Sequence, residues 1–441
     1  MKCVIVFIQI IITTGLLSTA TASNQIPAAP QRHPIALMGG TLHPVSGAAM
    51  KNGIILFDGG KIIALGKEVE LPDNAERIDV SGRHVYPGLI AANTQIGLIE
   101  INSIRQTHDF QEVGEIKPNV MTNIAVNPDS DHIPVTRYSG FAIAQSVPVN
   151  GLIPGMSSLI LLDGWTSEEM TLKAPVALHI NLPAIKINRN RAEESRRERD
   201  EQLRKIQETF DQARAYWKAK QAEMQEGIPY HETDVRWDMM KGVLEREIPV
   251  VIQADDIPQI ETALEWAERE NLRLIISGGR DAWRIAERLK EKKVPVIVGG
   301  THTLNFRGWE GYNQAFTLPK KLYEAGVPFC IGVNHSAPGP AGVMNVRNLI
   351  HEAATAAAHG LPAEEALKAL TLYPAQIFGV EDQVGSLETG KDATLIVTTG
   401  DPLELTSQVE QMYIQGRKID LSSRHTLLYD KYKTRYEQYQ E

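Results

Sequence analysis

The chain has 441 residues, more than one small domain needs and enough for a large α/β barrel with an accessory domain. Its charged fraction of 22% and hydrophobic fraction of 43% are those of an ordinary globular protein. The formal net charge is −9, and −10 without the segment carrying Lys2, so nucleic acid is excluded as the main partner.

The first segment reads as a secretory signal peptide over residues 1–22. Lys2 supplies a short basic region, residues 4–17 an apolar stretch, and Ala20-Thr21-Ala22 a small-residue cleavage signal. The apolar stretch is too short for a membrane anchor, so no membrane insertion is expected and the mature chain is predicted to be secreted or periplasmic. Cys3 leaves with the signal. Cys330 remains, inside the apolar run 327–333, and reads as a buried core thiol with no internal disulfide partner.

Residues 24–33 read as a Pro- and Ala-rich lead-in. Short strands broken by turns follow. Ile54–Phe57 and Ile62–Leu65 flank Asp58-Gly59-Gly60, which is a hairpin signal. A second β-type stretch comes late, at 393–398 and 409–414. The predicted organisation is therefore a small composite β-sandwich from 34–84 plus 380–420, with a barrel at 85–379 between its halves and a tail at 421–441.

The middle reads as strand–helix alternation. Apolar strands are predicted at 85–92, 141–147, 157–162, 176–182, 249–253, 273–277, 295–298 and 328–333. Ile257, Ile260, Leu264 and Ala267 share a helical face, with Pro258 suited to the first turn. Alternation of this kind in the second half implies parallel strands with right-handed crossovers, and eight strands close a TIM barrel. The predicted fold class is thus α/β, a (β/α)8 barrel with a split β-sandwich. Residues 189–226 depart from the pattern, with ten Lys/Arg against nine Asp/Glu. Leu203, Ile206, Phe210, Ala213 and Trp217 recur at helical spacing there, so a charged amphipathic helix packed on the barrel is expected after the fourth strand.

Four sequence stretches together resemble the metal-dependent amidohydrolase superfamily, in its imidazolonepropionase-like branch. They are Gly39-Gly40-Thr41-Leu42 followed by 54–66; Gly82–Leu98; Asn345–Leu349 with Glu352-Ala353-Ala354 and the run to Ala375; and Val384–Glu388 with Gly390-Lys391-Asp392-Ala393. The resemblance implies hydrolysis of carbon–nitrogen bonds in small amides or cyclic amides. It also implies a zinc-type site, with two His after the first strand, one each after the fifth and sixth, an Asp after the eighth, and often a carboxylated Lys. Zinc takes imidazole and carboxylate ligands and lowers the pKa of its bound water towards 7.

At those stations this chain carries Asn93, Gln95, Gln253, Gly278 and Asn334. Amide oxygens are weak zinc ligands, and Asn334 cannot accept a proton at neutral pH. No metal is expected in the usual arrangement and no cofactor is predicted. A divalent metal such as zinc enters only through an alternative site at His179, His302 and His335. Lys173 reads as a loop or surface lysine, and Lys186 has poor motif context. Asp255 and Asp256 follow the fifth strand, where a helix cap ahead of Pro258 is preferred over a place in the barrel mouth.

Two functions follow. In the first, an amide-lined mouth binds a small polar amide, peptide or sugar-like ligand, in a pseudoenzyme that acts alone, as a homo-oligomer, or beside an active relative. In the second, a secreted hydrolase works on carbon–nitrogen bonds by a non-standard site. No catalytic residue is assigned.

Overall fold

The computed structural model describes residues 25–101, 103–183, 191–223, 232–333 and 340–439. The expected signal segment, Lys186, Asn334 and His335 lie outside these residues.

Eight strands form a sheet outside the barrel. From the first part of the chain come β1 (Ile35–Leu42), β2 (Met50–Asp58), β3 (Lys61–Gly66), β4 (Glu76–Asp79) and β5 (His84–Pro87). From the last part come β14 (Leu395–Thr398), β15 (Val409–Ile414) and β16 (Arg417–Lys418). They make one hydrogen-bonded sheet in the order β16-β15-β14-β5-β1-β2-β3, with β4 on β1. The two halves of the chain meet where β5 pairs antiparallel with β14, Pro87 opposite Leu395 and His84 opposite Thr398. Leu37, Ile55, Phe57, Val85, Leu395 and Tyr413 fill its core. Closing this sheet with strands about 300 residues apart in sequence makes the barrel an insertion within it.

The barrel strands are β6 (Leu89–Thr94), β7 (Phe141–Ser146), β8 (Gly155–Leu161), β9 (Thr171–Ile180), β10 (Val250–Ala254), β11 (Leu274–Gly278), β12 (Val296–Gly299) and β13 (Phe329–Gly332). They close as β6 through β13, with β13 returning to β6. All eight overlap the predicted apolar runs, but the run 85–92 is shared between β5 of the outer sheet and β6 of the barrel, and β9 begins at Thr171, ahead of the predicted 176–182. Seven are parallel, and β8 alone runs against both neighbours. The reason is chain length. A parallel crossover needs a dozen or more residues, and residues 147–154 between β7 and β8 are too few. One end of the barrel therefore gathers the C-terminal ends of seven strands and the N-terminal end of β8.

The charged segment forms one helix, Ala192–Glu223, after the fourth barrel strand. Its buried side chains are Ile206, Thr209, Phe210, Ala213 and Tyr216, and Phe210 meets Trp266 edge-on at 5.0 Å. Leu203 and Trp217 are only half-buried. The helix packs on the barrel through Ile257–Arg269, in which Pro258 takes the first turn. Asp163 ties the two parts of the molecule together. It is buried after β8 and paired with Arg137 at 3.1 Å and with Arg417 of β16 at 2.9 Å. Cys330 is buried and free. Among the described residues no helix is long and apolar enough to cross a membrane.

Candidate functional site at the barrel mouth

Asn93 sits in an irregular stretch of β6, where the register with β7 slips between Ala91 and Thr94. Its φ is +58°, a left-handed conformation that Asn tolerates better than most residues. The slip turns its side chain across the barrel seam, where Nδ2 donates to the Val333 carbonyl at 2.8 Å. Its backbone N–H donates to Gln145 Oε1 at 3.0 Å. Gln145 in turn donates to Ser157 Oγ at 3.2 Å, and Ser157 to the Ala177 carbonyl at 3.4 Å. A hydrogen-bonded line of neutral groups thus runs from β6 through β7 and β8 to β9. Gln95 is buried beside it, just past the end of β6.

Across the barrel, Gln253 on β10 donates through Nε2 to Asp255 Oδ2 at 3.1 Å. The next strand carries Gly278 at φ +94°. A Cβ at 278 would meet Asp255 Oδ1 at 2.6 Å and Gln253 Nε2 at 2.8 Å. The space a ligand side chain would need at this station is therefore held by the neighbouring strand. The two acids after β10 divide their roles. Asp256 caps the helix Ile257–Arg269 in a capping box with Gln259. Asp255 is left over, half-buried at the mouth, and so the cap reading holds for one acid only. Burial raises its pKa above the usual carboxylate range against the opposing pull of Arg280.

Several buried atoms at these strand ends have no hydrogen-bond partner among the described residues: Asn93 Oδ1, Gln253 Oε1, Ser277 Oγ and Arg280 Nε. Buried polar atoms are nearly always paired with protein or water, so these four call for water or a bound polar group as partner. The Arg280 guanidinium lies 4.1 Å from the Phe306 ring, on the loop after β12.

Two members of the alternative histidine set lie among the described residues. His179 is buried on β9, level with Val251 of β10. His302 is exposed on the loop after β12, hydrogen-bonded to Thr355 at 2.7 Å and held below its ordinary pKa by burial of its ring and by His351. His335 lies outside the described residues. Among those residues no group of three His, Cys, Asp or Glu side chains is placed to hold a metal ion. Lys173 lies within β9 rather than in a loop, and its ammonium caps the Phe378 carbonyl at 2.8 Å, so it is not at a strand's C-terminal end.

Glu352 was quoted above only as part of a motif. Its carboxylate accepts the Thr301 backbone N–H at 2.6 Å, and burial pushes its pKa up to about 7 against the bonds from Thr301 and His302. It fixes the turn leaving β12. Gln145, Ser157 and Asp255 are the site residues that the sequence reading passed over or did not select. The signal for Gln145 was a lone amide inside the apolar run 141–147.

Comparison with known proteins agrees with this architecture. Residues 276–419 match the Amidohydrolase family. The crystal structure of an amidohydrolase from Thermotoga maritima MSB8 superposes with a TM-score of 0.78 at 30% identity, over 88% of this chain and 99% of that one. The chain belongs to the amidohydrolase family. A curated amidohydrolase, tasK of Hapsidospora irregularis, is 21% identical over 410 residues, 82% of this chain. This amidohydrolase-family chain spans only 39% of that relative's length. The structure of molinate hydrolase matches with a TM-score of 0.52 at 16% identity, over 90% of this chain and 96% of that one, which is a likeness of fold.

Four of the five stations at which the resemblance implies metal ligands lie among the described residues. Amides stand at 93, 95 and 253, and the carboxylate nearest Gly278 is that of Asp255, which Gln253 holds by a hydrogen bond. A cavity of about 960 Å3 lies elsewhere, against the N-terminal ends of β10 to β13. Barrel chemistry sits at C-terminal strand ends, so the unpartnered polar atoms locate this site better than cavity size does.

Proposed function

We propose that the mouth of this amidohydrolase-family barrel is a metal-free pocket that binds a small neutral polar ligand of the amide, peptide or sugar type. The protein then acts as a binding pseudoenzyme or as a partner subunit to an active relative. The reading rests on one observation, the unpartnered buried atoms Asn93 Oδ1, Gln253 Oε1, Ser277 Oγ and Arg280 Nε at the strand ends. A neutral ligand with both donors and acceptors satisfies such a set, and a hydrophobic one does not. We further propose an extracytoplasmic location, from the basic, apolar and small-residue pattern of residues 1–22.

Ser277→Ala tests the observation directly. Removing a buried hydroxyl that has no partner is expected to stabilise the ligand-free protein by about 1 kcal/mol. It should also weaken whichever of hydantoin, 2-pyrrolidinone or a glycyl dipeptide binds the wild type in isothermal titration. Destabilisation by Ser277→Ala would mean that the hydroxyl is already bonded in the free protein, and the reading would fail.

One feature favours a second reading, a hydrolase of carbon–nitrogen bonds. Asp255 is a half-buried carboxyl of raised pKa at the mouth, the kind of group that serves as a general base. Asp255→Asn keeps the shape and removes the proton acceptor. Turnover of the same amides by the wild type and its loss in Asp255→Asn would favour this reading. Absence of turnover above background in both favours the binding protein.

A further inference from the structure

At the end of the barrel opposite the mouth, four successive helices hand over to β10, β11, β12 and β13 through the same kind of turn. In each, a residue in left-handed conformation follows the helix: Arg246 at φ +67°, Asn271 at +56°, Lys293 at +52° and Gly326 at +74°. The backbone closes behind each one. Glu247 N–H bonds the Gly242 carbonyl at 2.8 Å, Leu272 the Ala267 carbonyl at 2.8 Å, Val294 the Leu289 carbonyl at 2.9 Å, and Val327 the Leu322 carbonyl at 3.0 Å. This is the Schellman closure, whose left-handed position is most often glycine, or at times asparagine, because a Cβ there crowds the backbone. Only the second and fourth turns use those residues. The first and third place Arg and Lys instead.

All four left-handed residues line one cavity of about 960 Å3. Arg273, Lys292 and Glu268 also line it, giving four cations against a single carboxylate, a balance of +4 − 1 = +3. Glu268 is taken up by Lys292 at 2.7 Å. Arg246 donates to the Asn271 side chain at 2.7 Å and Arg273 to the Glu247 carbonyl at 3.1 Å, both neutral partners. The inner wall is apolar and aromatic, with Leu264, Ile275, Val327 and Phe329. The volume is at the upper end of ordinary small-ligand sites, which run to about 1,000 Å3.

We propose that this cavity is a second binding site, for a small organic anion: a carboxylate, sulfonate or phosphate on an apolar or aromatic body. The charge meets Arg246, Arg273 and Lys293 at the rim, and the body lies on the apolar wall. Two cations held in a backbone conformation that disfavours them, and surplus to the acids around them, are what an anion-binding rim requires and what the fold alone does not. The site is separated from the mouth by the length of the barrel, so it is independent of the ligand proposed there.

The test is a fluorescence titration of the full chain with 8-anilinonaphthalene-1-sulfonate and with its uncharged relative N-phenyl-1-naphthylamine. The key variant is the double substitution Arg246→Gly with Lys293→Gly. Glycine is at ease in the left-handed turn, so the variant should melt at or slightly above the wild-type temperature. Its affinity for the sulfonate should fall by about tenfold or more, and the neutral probe should bind the wild type about tenfold more weakly than the sulfonate. Ser277→Ala at the mouth should leave sulfonate binding unchanged. Equal affinity in the double variant, equal affinity for the neutral probe, no saturable binding by the wild type, or loss of binding in Ser277→Ala would each overturn the proposal. A fall in melting temperature of the double variant would overturn the argument from the turns.

Discussion

Gly278 is the mouth position where a side chain meets both backbone strain and a close neighbour, and Gly278→Ala measures the two. Two separate penalties are expected. The first is backbone strain, because φ is +94° and a side chain in left-handed space costs roughly 1–2 kcal/mol. The second is space. The added Cβ would sit 2.6 Å from Asp255 Oδ1 and 2.8 Å from Gln253 Nε2, so that pair must move and its hydrogen bond is strained or lost, about 1 kcal/mol more. Urea denaturation of wild type and variant, extrapolated to water, should show a loss of about 2–3 kcal/mol. The two parts separate in a double-mutant cycle. With Asp255→Ala as background the nearest obstacle is gone and Gln253 is freed from its hydrogen bond to move aside, so Gly278→Ala should cost less, approaching the backbone part. A cost below about 0.5 kcal/mol in the wild-type background would refute the strain argument. An identical cost in both backgrounds would refute the claim that Asp255 fills the ligand station.

Two further expectations concern buried charge. Glu352 has a folded pKa of about 7 against an ordinary 4.5, so the folded state holds its proton more tightly than the unfolded chain. Its contribution to stability is fully present below pH 4.5 and is lost as pH rises through 7, a change of about 3 kcal/mol at 1.36 kcal/mol per unit. Glu352→Gln keeps an acceptor for the Thr301 N–H, so its stability relative to wild type should rise across that window in urea melts at pH 5 and pH 8. A difference that is flat with pH would contradict the assignment. Asp163→Ala leaves Arg137 and Arg417 facing each other without their shared carboxylate, and about 3–5 kcal/mol should be lost. Calorimetry should show the loss, and a change under 1 kcal/mol would mean that the two arginines are solvated instead.

The barrel was legible in the sequence because its strands are nearly unbroken apolar runs, and strands buried on both faces have that signature. The antiparallel β8 departs from the predicted (β/α)8 pattern, because strand patterning carries no sign of direction and only the brevity of residues 147–154 signals it. The long helix was visible in its period, although the ring buried near its end is Tyr216 and not Trp217. The Tyr216 hydroxyl donates to Asp238 at 2.7 Å and the Trp217 indole to the Trp237 carbonyl at 2.7 Å, contacts with a later segment that no local pattern encodes. The site was partly readable. Asn93, Gln95, Gln253 and Gly278 could be placed by their distance from strand ends. The roles of Gln145 and Ser157 could not, because a hydrogen bond across neighbouring strands depends on register, and the register of β6 is shifted at Asn93 itself. Adjacent acids such as Asp255 and Asp256 are indistinguishable by type; backbone direction at the helix start sends one to the cap and the other to the mouth.

Zinc content tests the metal-free reading of the mouth most directly. The purified full chain is dialysed against excess zinc, then against buffer, and assayed by plasma mass spectrometry. With amides at 93, 95 and 253 and a filled cradle at 278, retained zinc should stay well below one equivalent per chain. One equivalent retained, and lost on substitution of Asn93 or Gln253, would contradict it.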